Sequence, residues 1–347
     1  MTQYIIRRIL QAIPLIILIT VIVFILLKAS GDPLAYLAAD PRNTQADIEL
    51  QRARLGLDDP LPLQFVHWLV GDTWYRRQVD LNGDGEYEID RYGDREGVIR
   101  GDLGESLVYR RPVTEVLGRF LPNTLLLGIS AYVVTIIFSL TFGIFAALNQ
   151  YSVADNIITA AAFFTYSLPV FLSALILVQI FAVQFRHWGL PALPVSGMYN
   201  PRGDRSVTDL IQHMILPVAA LSSISIAGYS RYIRATMLEV INSDYIRTAR
   251  AKGLGERRVV FLHALKNASL PLVTLIGLDV PFLLSGAIIT ETIFSWPGTG
   301  FMFINALERL DLPLIIAFVL MIAIAIVIFQ LLTDIIYAWL DPRIHYN

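Results

Sequence analysis

Long apolar runs separated by polar segments are the main pattern along this chain. Six runs of 19 to 27 residues contain no Asp, Glu, Lys or Arg, except for one aspartate, Asp279, in the fifth. The runs do not alternate apolar and polar residues with period two, so they predict helices rather than barrel strands. A helix needs about 20 apolar residues to cross a bilayer. The predicted spans are Ile9–Leu27, Leu125–Leu148, Ile157–Val183, Leu210–Tyr229, Leu270–Ile289 and Leu314–Leu332.

The composition agrees with a membrane protein. Hydrophobic residues make up 55% of the 347 residues and charged residues 16%, whereas soluble domains carry about 25% charge. The chain has no cysteine, which excludes a disulfide framework and a thiolate metal site. We predict an all-α polytopic membrane protein with six transmembrane helices and a large outer loop between the first two. The predicted regions are an N-terminal signal-anchor helix (1–30), an extracytoplasmic loop (31–121) with an acidic insert (72–98), and a five-helix core (122–340) with a cytoplasmic loop (239–267).

Charge is distributed unevenly between the loops, and this predicts the orientation. The loop Gly31–Pro122 holds seventeen acids and eleven bases, whereas Tyr245–Pro271 holds six bases and one acid. Because Lys and Arg accumulate in short cytoplasmic loops, the second segment is predicted to lie inside. Arg7 and Arg8 precede an apolar run that is too long for a cleaved signal peptide, so the N-terminus is predicted to be inside as well. Six crossings return the C-terminus to the cytoplasm, as in a multi-pass protein of the cytoplasmic (inner) membrane.

The segment Tyr245–Pro271, called the basic loop below, has the pattern of a helix, a turn and a second helix. Tyr245–Lys252 is predicted to be helical, Gly253 permits a turn that a β-carbon would hinder, and Glu256–Leu265 forms the second helix. Small side chains on the first helix let another surface approach closely; they are Thr248, Ala249 and Ala251. The loop therefore has the shape of a knob that docks in a cleft of a soluble partner. The alternative is an ordinary basic loop, and composition leaves both interpretations open.

The basic loop resembles the EAA coupling loop of permease subunits from ATP-binding-cassette (ABC) importers, most closely in the dipeptide/oligopeptide/nickel family. Gly253 matches the glycine of the family pattern, Ala249 its second alanine and Leu265 its late leucine. Four positions depart from the pattern: Arg247 stands for Glu, Thr248 for the first Ala, His263 for Ile and Lys266 for Pro. The form RTARAKGL…HALKNASLP is itself typical of the peptide branch of that family.

Other stretches resemble the same family in the same order. They are the first span YIIRRILQAIPLIILITVIVFIL, the outer-loop blocks RLGLDDPLPLQF and GDLGESLVYRRPVTEVL, and the segment ETIFSWPGTG. The resemblance covers most of the chain, except residues 72–98. It implies the fold of a type I ABC importer permease, with coupling to the ATPase through Arg247, Thr248, Ala249, Lys252, Gly253, Leu254, Arg257, Arg258 and Phe261.

The resemblance also implies partners and a cargo. Expected partners are a second homologous permease, one or two ATPase subunits, an outer solute-binding protein, a peptide substrate and membrane lipid, and no nucleic acid. Oligosaccharides and nickel chelates are the alternative cargoes. The chain lacks the motif G-x-x-x-x-G-K-[ST] that cradles ATP phosphates. It is therefore expected to be a non-catalytic subunit without a catalytic cofactor of its own, while ATP and Mg²⁺ bind the partner subunits.

Three polar residues are candidates for the transport pathway. Asp279 lies in the fifth span, where a buried charge is costly and usually functional. It would attract the amino terminus of a peptide; the alternatives are pairing with the other permease and a protonated carboxyl. Ser285 lies in the same span. Glu291 follows it, as either a gate residue or one partner of a salt bridge at a helix end.

The acidic insert contains a candidate Ca²⁺ loop, DLNGDGEYEID. Oxygen ligands at positions one, three and five, with glycine at position six, are typical of such loops. The candidate ligands are Asp80, Asn82, Asp84, Glu86, Glu88 and Asp90. Arg91 occupies position twelve, where an acid is expected, and a solvated acidic turn is the alternative. The β-prone pieces Trp74–Val79 and Glu86–Ile89 flank the turn, which predicts a hairpin in an insert that folds on its own.

Two other function classes fit less well. Ser130 in GISA is similar to the nucleophile motif of rhomboid-type intramembrane proteases, but a nucleophile needs a base nearby. His213 is the only histidine in a predicted span, at the outer end of the fourth. Ser130 is therefore interpreted as a helix-packing residue. A secondary transporter would leave the coupling-loop match unexplained, and no inverted repeat is visible.

Overall fold

The computed structural model describes residues 2–32, 34, 44–79, 87, 89–269, 272, 275 and 287–340. The chain divides into two compact units. The N-terminal unit comprises Thr2–Leu121 and Met302–Val327, and the central unit comprises Pro122–Phe301 and Ile328–Asn347.

The N-terminal unit begins with helix α1 (Thr2–Ser30), which contains the first predicted span. Two short helices follow, α2 (Gln45–Leu55) and α3 (Leu61–Val70). Helix α2 begins at a capping box in which Thr44 and Asp47 each bond the backbone N–H of the other. Pro60 precedes α3, because proline tolerates a helix start and has no N–H to leave unpaired. Phe65 of α3 packs against Phe24 of α1, with the two ring centres 5.7 Å apart.

Two strands follow, and they pair as the predicted hairpin, although the second strand lies later in the sequence than predicted. Strands β1 (Arg76–Val79) and β2 (Ile89–Tyr92) pair in antiparallel fashion. The second strand thus begins at the residue where the predicted strand Glu86–Ile89 ends. The insert contacts the preceding segment, since Arg77 of β1 reaches Asp59 and the ring of His67 in α3, and its independent folding stays a prediction. A buried guanidinium needs acceptors, and Asp59, just before α3, and His67 within α3 supply them.

Helices of very different length make up most of the remainder of the described chain. They are α4 (Val113–Leu148), α5 (Val153–Ser167), α6 (Val170–His187), α7 (Val207–Ile241), α8 (Asp244–Ala251), α9 (256–268), α10 (Ile288–Ile293), α11 (Thr299–Glu308) and α12 (Leu312–Leu340). A π-helical turn interrupts α6 at Gln179–Gln184 and α9 at Val259–Ala264. Serine side chains cap two of these helices, with Ser152 accepting from Asp155 N–H and Ser206 from Asp209 N–H.

Five helices of the described chain are long and apolar enough to cross a membrane. They contain the first, second, fourth and sixth predicted spans and the second half of the third. The third predicted span, Ile157–Val183, is not one helix, because the chain is non-helical at Leu168 and Pro169, between α5 and α6. Most of the fifth predicted span, Leu270–Ile289, lies outside the described residues.

An ion pair joins α5 to α7 in the central unit. Arg234 donates two hydrogen bonds to the carboxylate of Asp155, both 2.7 Å long, and the Asp155 side chain is 2% exposed. The hydrogen bonds from Arg234 lower the pKa of Asp155 from 3.8 to about 2. On the same pair of helices, the Arg231 guanidinium lies 4.0 Å from the ring centre of Phe163. These contacts fix α5 on α7 in spite of the break before α6.

Replacing Asp155 with Asn is expected to destabilise the central unit by about 2 kcal/mol, because a partly buried guanidinium loses its charged partner. The pKa of Asp155 is lowered on folding, so its contribution is complete above the ordinary pKa of 3.8 and is lost as pH falls through about 2. The difference in melting temperature between wild type and variant in detergent should therefore be constant from pH 7 to about 4. Below about pH 4 the two melting temperatures should converge. A difference that grows with acidity would contradict this assignment. Arg234→Lys, which keeps the charge without the two parallel bonds, should give an intermediate loss.

Candidate functional site

The basic loop consists of two short helices joined at a glycine, as the sequence predicts. Helix α8 ends at Ala251, and Gly253 has a φ of +78°, in the left-handed region that favours glycine. Helix α9 then starts at Glu256. The Arg250 guanidinium donates to the Glu256 carboxylate at 2.6 Å, so an ion pair closes the turn from one helix to the other. The two helices are thereby held in one arrangement.

One face of the basic loop is buried in the central unit. Ile246 of α8 and Val259 and Val260 of α9 are at most 3% exposed, and they pack with Ile233 and Met237 of α7. By the area of apolar surface that they bury, such side chains contribute about 1.5–3 kcal/mol each. The loop is thus an extension of the helical core rather than a free appendage.

Ala249 belongs to this buried face, which differs from the expectation that it meets a partner. It is 8% exposed and packs in the same apolar cluster as Ile246. On a helix, positions three residues apart share a face, so Ala249 follows Ile246 into the core. Thr248 and Ala251, the other small residues of α8, are exposed.

The opposite face of the loop is open and combines positive charge with exposed apolar side chains. Phe261 is 59% exposed and Leu262 is 51% exposed. The other candidate coupling residues on this face are Arg247, Thr248, Lys252, Gly253, Arg257 and Arg258, all exposed, and Leu254, partly exposed. All candidate coupling residues except Ala249 are therefore exposed or partly exposed.

Glu291 occupies a second site, in a buried turn of the central unit. Its side chain is fully buried and accepts a hydrogen bond of 2.7 Å from the Thr124 hydroxyl. The backbone N–H groups of Gly300 and Phe301, in the first turn of α11, donate to its other oxygen at 2.7 and 3.1 Å. Glu291 therefore caps α11 from the preceding helix, satisfying N–H groups that have no partner within the helix.

The backbone at Gly298 and Gly300 lies very close to the Glu291 side chain and to helix α10. A β-carbon on Gly298 would lie 2.3 Å from the Glu291 carboxyl carbon, and one on Gly300 would lie 2.5 Å from the Ile288 Cα. Two further hydrogen bonds join the same segments, from the Asn123 amide to the Pro297 carbonyl and from the Trp296 indole to the Asn123 carbonyl. The segments PNT and WPGTG thus form one interlocked cluster, named the outer-turn cluster below (residues 122–124, 291 and 296–301).

Of the two alternatives for Glu291, the salt bridge is not formed within the described residues, where its partners are a hydroxyl and two backbone N–H groups. Burial raises the pKa of Glu291, and the three hydrogen bonds act in the opposite direction. The arrangement is that of a structural clasp, which holds two distant segments together. The gate role stays a prediction.

The remaining candidate residues are only partly described. Asp279, Ser285 and five of the six candidate Ca²⁺ ligands (Asp80, Asn82, Asp84, Glu86 and Glu88) lie outside the described residues. Asp90 is described, and Arg76 holds its carboxylate with two hydrogen bonds of 2.8 and 2.9 Å that lower the pKa of Asp90. In the described ranges no group of three or more His, Asp or Glu residues is arranged to hold a metal ion. Ca²⁺ binding stays a prediction.

The sequence analysis missed a buried polar cluster in the N-terminal unit. His67 is 1% exposed, and Arg77 connects it to Asp59 and Asp72 through contacts of 3.3 Å. Burial, then the charge of Arg77, lowers the pKa of His67, so the ring is neutral. Asp311 was missed as well; it accepts from the Ser106 hydroxyl at 2.5 Å and from the Val108 N–H at 3.0 Å. Charged residues that flank apolar runs were the only available signal.

These features define a multi-pass membrane protein with a docked basic loop and a clasped turn. Comparison with known proteins identifies its family. The model of the "Binding-protein-dependent transport system inner membrane component" matches residues 139–346, and the model of the N-terminal part of such components matches residues 1–87. The chain belongs to this family of transport permeases.

Curated relatives match along the full length. The oligopeptide transport system permease protein AppB of Bacillus subtilis is 37% identical over 348 residues, covering 100% of both chains. The dipeptide transport system permease protein DppB of Escherichia coli is 37% identical over 370 residues, again covering 100% of both. The glutathione transport system permease protein GsiC of Escherichia coli is 36% identical over 349 residues, with the same coverage. The predicted family and the predicted all-α polytopic fold are confirmed.

Proposed function

We propose that this chain forms half of the translocation pathway of an ATP-driven importer for dipeptides and oligopeptides. A second, homologous permease forms the other half, and one or two ATPase subunits bind from the cytoplasm. An outer solute-binding protein delivers the cargo. In this arrangement the chain lies in the inner membrane with both termini in the cytoplasm, and ATP hydrolysis takes place on the partner subunits.

The exposed face of the basic loop carries the coupling part of this proposal. It combines four exposed cations with an exposed aromatic side chain, a combination that is common where proteins bind each other. Its other face is packed against α7, so a displacement of the loop is transmitted to a helix long enough to cross the membrane. Closure of the ATPase subunits would in this way move the helices between inward-open and outward-open states.

The peptide cargo rests on the relatives. Their names specify oligopeptide, dipeptide and glutathione transport, and each of these cargoes is a peptide with charged ends. A membrane segment that admits such cargo needs polar groups in the pathway. Asp279 and Ser285 in the fifth predicted span are the proposed pathway residues for this role.

Isolation of the assembly tests the proposal. The tagged chain is purified from native membranes in mild detergent, and the co-purifying proteins are identified by mass spectrometry. A second six-span permease and one or two ATPases are expected. The co-purifying binding protein is then screened against peptides, oligosaccharides and nickel chelates to separate the three cargoes. A chain that purifies alone and transports without ATP would contradict the importer and favour a secondary transporter.

Gly253→Val is expected to reduce ATP-driven transport at least several-fold while leaving the amount of inserted protein unchanged. Valine is strongly disfavoured at the φ of +78° found here, so the turn rearranges and displaces Phe261. A β-carbon at this position meets nothing within 4 Å, so the effect is conformational rather than a clash. Uptake and ATP hydrolysis in proteoliposomes provide the measurement.

Gly255→Val is the matched control for this prediction. Gly255 lies two residues away with φ −63° and ψ 144°, a conformation that valine adopts readily, and a β-carbon there also meets nothing within 4 Å. Transport by this variant should equal that of the wild type. Equal impairment of both variants would show that bulk on the loop, and not the left-handed turn, is responsible.

A further inference from the structure

A cavity of about 960 Å³ opens inside the N-terminal unit. Phe24 and Lys28, in the last two turns of α1, line it together with Leu312 and Ile316, in the first two turns of α12. Both helices are long and apolar enough to cross a membrane, so these four residues lie where the helices leave it. The cavity is therefore at the membrane surface, on the side that the charge distribution predicts to be outer.

Lys28 gives this cavity a positive charge without a dedicated counter-ion. Its side chain is partly buried, and the two acids whose charges attract it, Asp32 and Asp58, are each paired with Arg52. Within the described ranges no ion pair or hydrogen bond engages the Lys28 ammonium. Arg110 adds an exposed guanidinium to the same wall.

The acids on the cavity wall are mostly engaged elsewhere. Asp47 caps α2 through Thr44, Asp94 faces Arg91 at 3.7 Å, and Asp102 accepts from the backbone N–H groups of Glu96 and Gly104. Glu105, the fourth acid on the wall, is exposed. The charge still available to a ligand inside the cavity is therefore positive.

Two buried N–H groups on the wall also have no acceptor among the described residues. They belong to His67 (Nε2), which is 1% exposed, and to Trp68 (Nε1). The Arg77 guanidinium, 3.3 Å from His67 Nδ1, can only donate, so Nδ1 accepts and the ring proton lies on Nε2. Both donors have less than 1 Å² of exposed surface, so the cavity presents Lys28 and Arg110 to a ligand and leaves these two N–H groups covered.

We propose that this cavity binds the phosphodiester headgroup of a membrane phospholipid. The phosphate supplies the negative charge and the oxygen acceptors that the Lys28 ammonium lacks, with the Arg110 guanidinium on the same wall. Basic pockets at the ends of transmembrane helices are suited to headgroups for these reasons. A soluble phosphate ester offers the same acceptors without the chain, and the experiment separates the two sources.

The test counts phospholipids bound to the full importer complex. The complex is delipidated in detergent and titrated with palmitoyl-oleoyl phosphatidylglycerol, and native mass spectrometry resolves the successive binding steps. Lys28→Gln is expected to weaken one step roughly tenfold, because a charge-assisted hydrogen bond is lost. Arg100→Gln removes an exposed cation of the same unit that does not line the cavity, so it should leave every step unchanged.

A second variant separates the site from general damage to the fold. Gln51→Trp keeps every cation and fills part of the cavity, so it should weaken the same step as Lys28→Gln. Displacement of the lipid by sn-glycerol 3-phosphate alone would assign the cavity to a soluble phosphate ester and overturn the lipid. Equal lipid binding by wild type, Lys28→Gln and Gln51→Trp would also overturn the proposal, as would a photo-cross-link from position 28 to a protein partner instead of a lipid.

Discussion

Gly298→Ala is expected to lower the melting temperature of the detergent-solubilised chain by roughly 3–5 °C. The added methyl group would lie 2.3 Å from the carboxyl carbon of Glu291. That carboxyl cannot swing away without cost, because the Thr124 hydroxyl and the N–H groups of Gly300 and Phe301 hold it. Overpacking costs about 1–3 kcal/mol, and a neighbour fixed by three hydrogen bonds places this substitution at the upper end. Thermal unfolding followed by tryptophan fluorescence provides the measurement.

Two controls separate the clash from the loss of a glycine. Gly118→Ala adds a methyl group to helix α4 where nothing lies within 4 Å, so it should not destabilise the chain. In a Glu291→Ala background the carboxyl is gone, and adding Gly298→Ala should then cost less than about 1 kcal/mol. The same loss in both backgrounds would contradict the clasp as the origin of the effect.

Phe261→Asp is expected to reduce ATP-driven transport at least tenfold and to release the ATPase from the purified complex. An exposed aromatic anchor at a protein interface typically contributes 2 kcal/mol or more, which corresponds to about a thirtyfold change in affinity. Because Phe261 is 59% exposed, its replacement should leave the folding of the chain intact. ATPase co-purification, uptake in proteoliposomes and the melting temperature are measured together.

Two variants control this prediction. Phe261→Leu keeps an apolar surface of similar reach and should retain most of the transport. Tyr151→Asp introduces the same charge at an 80% exposed aromatic position in the turn before α5, which the sequence also predicts to be cytoplasmic, and it should have little effect. A loss with Tyr151→Asp as large as that with Phe261→Asp would mean that the whole cytoplasmic face, rather than the basic loop, responds to charge.

Local features were predictable from the sequence. The turn at Gly253 followed because a glycine interrupts a helical pattern. Helix ends were less predictable, since α7 continues twelve residues beyond the predicted span that ends at Tyr229. Hydropathy falls there because Arg231 and Arg234 enter the helix. Their partners Phe163 and Asp155, which make these charges tolerable, are 68 and 79 residues away in sequence.

The candidate site shows the same limit. The residues of the candidate site were identified from the resemblance to the permease family. The orientation of each side chain, however, depends on packing. Ala249 was predicted to face a partner, and it faces α7 because Ile246, one turn earlier on the same helix face, is anchored in the core. The role of Glu291 as a cap for α11 depends on Thr124, and no local pattern connects residues so far apart. The cavity beside Lys28 likewise forms only when α1 and α12 come together.

The clasp also sets the order in which the chain is completed during synthesis. Thr124 precedes Glu291 by 167 residues. Helices α4 to α7 are therefore synthesised long before the carboxylate that accepts the hydrogen bond from the Thr124 hydroxyl. At about 5–20 residues per second, the ribosome needs roughly 8–33 s to cover that distance. During this interval the Thr124 hydroxyl and the Asn123 amide lack their final partners in the nascent chain. Completion of the central unit must therefore await the last quarter of the protein, and a ribosome that stops before Glu291 leaves an unfinished membrane domain for quality control to remove.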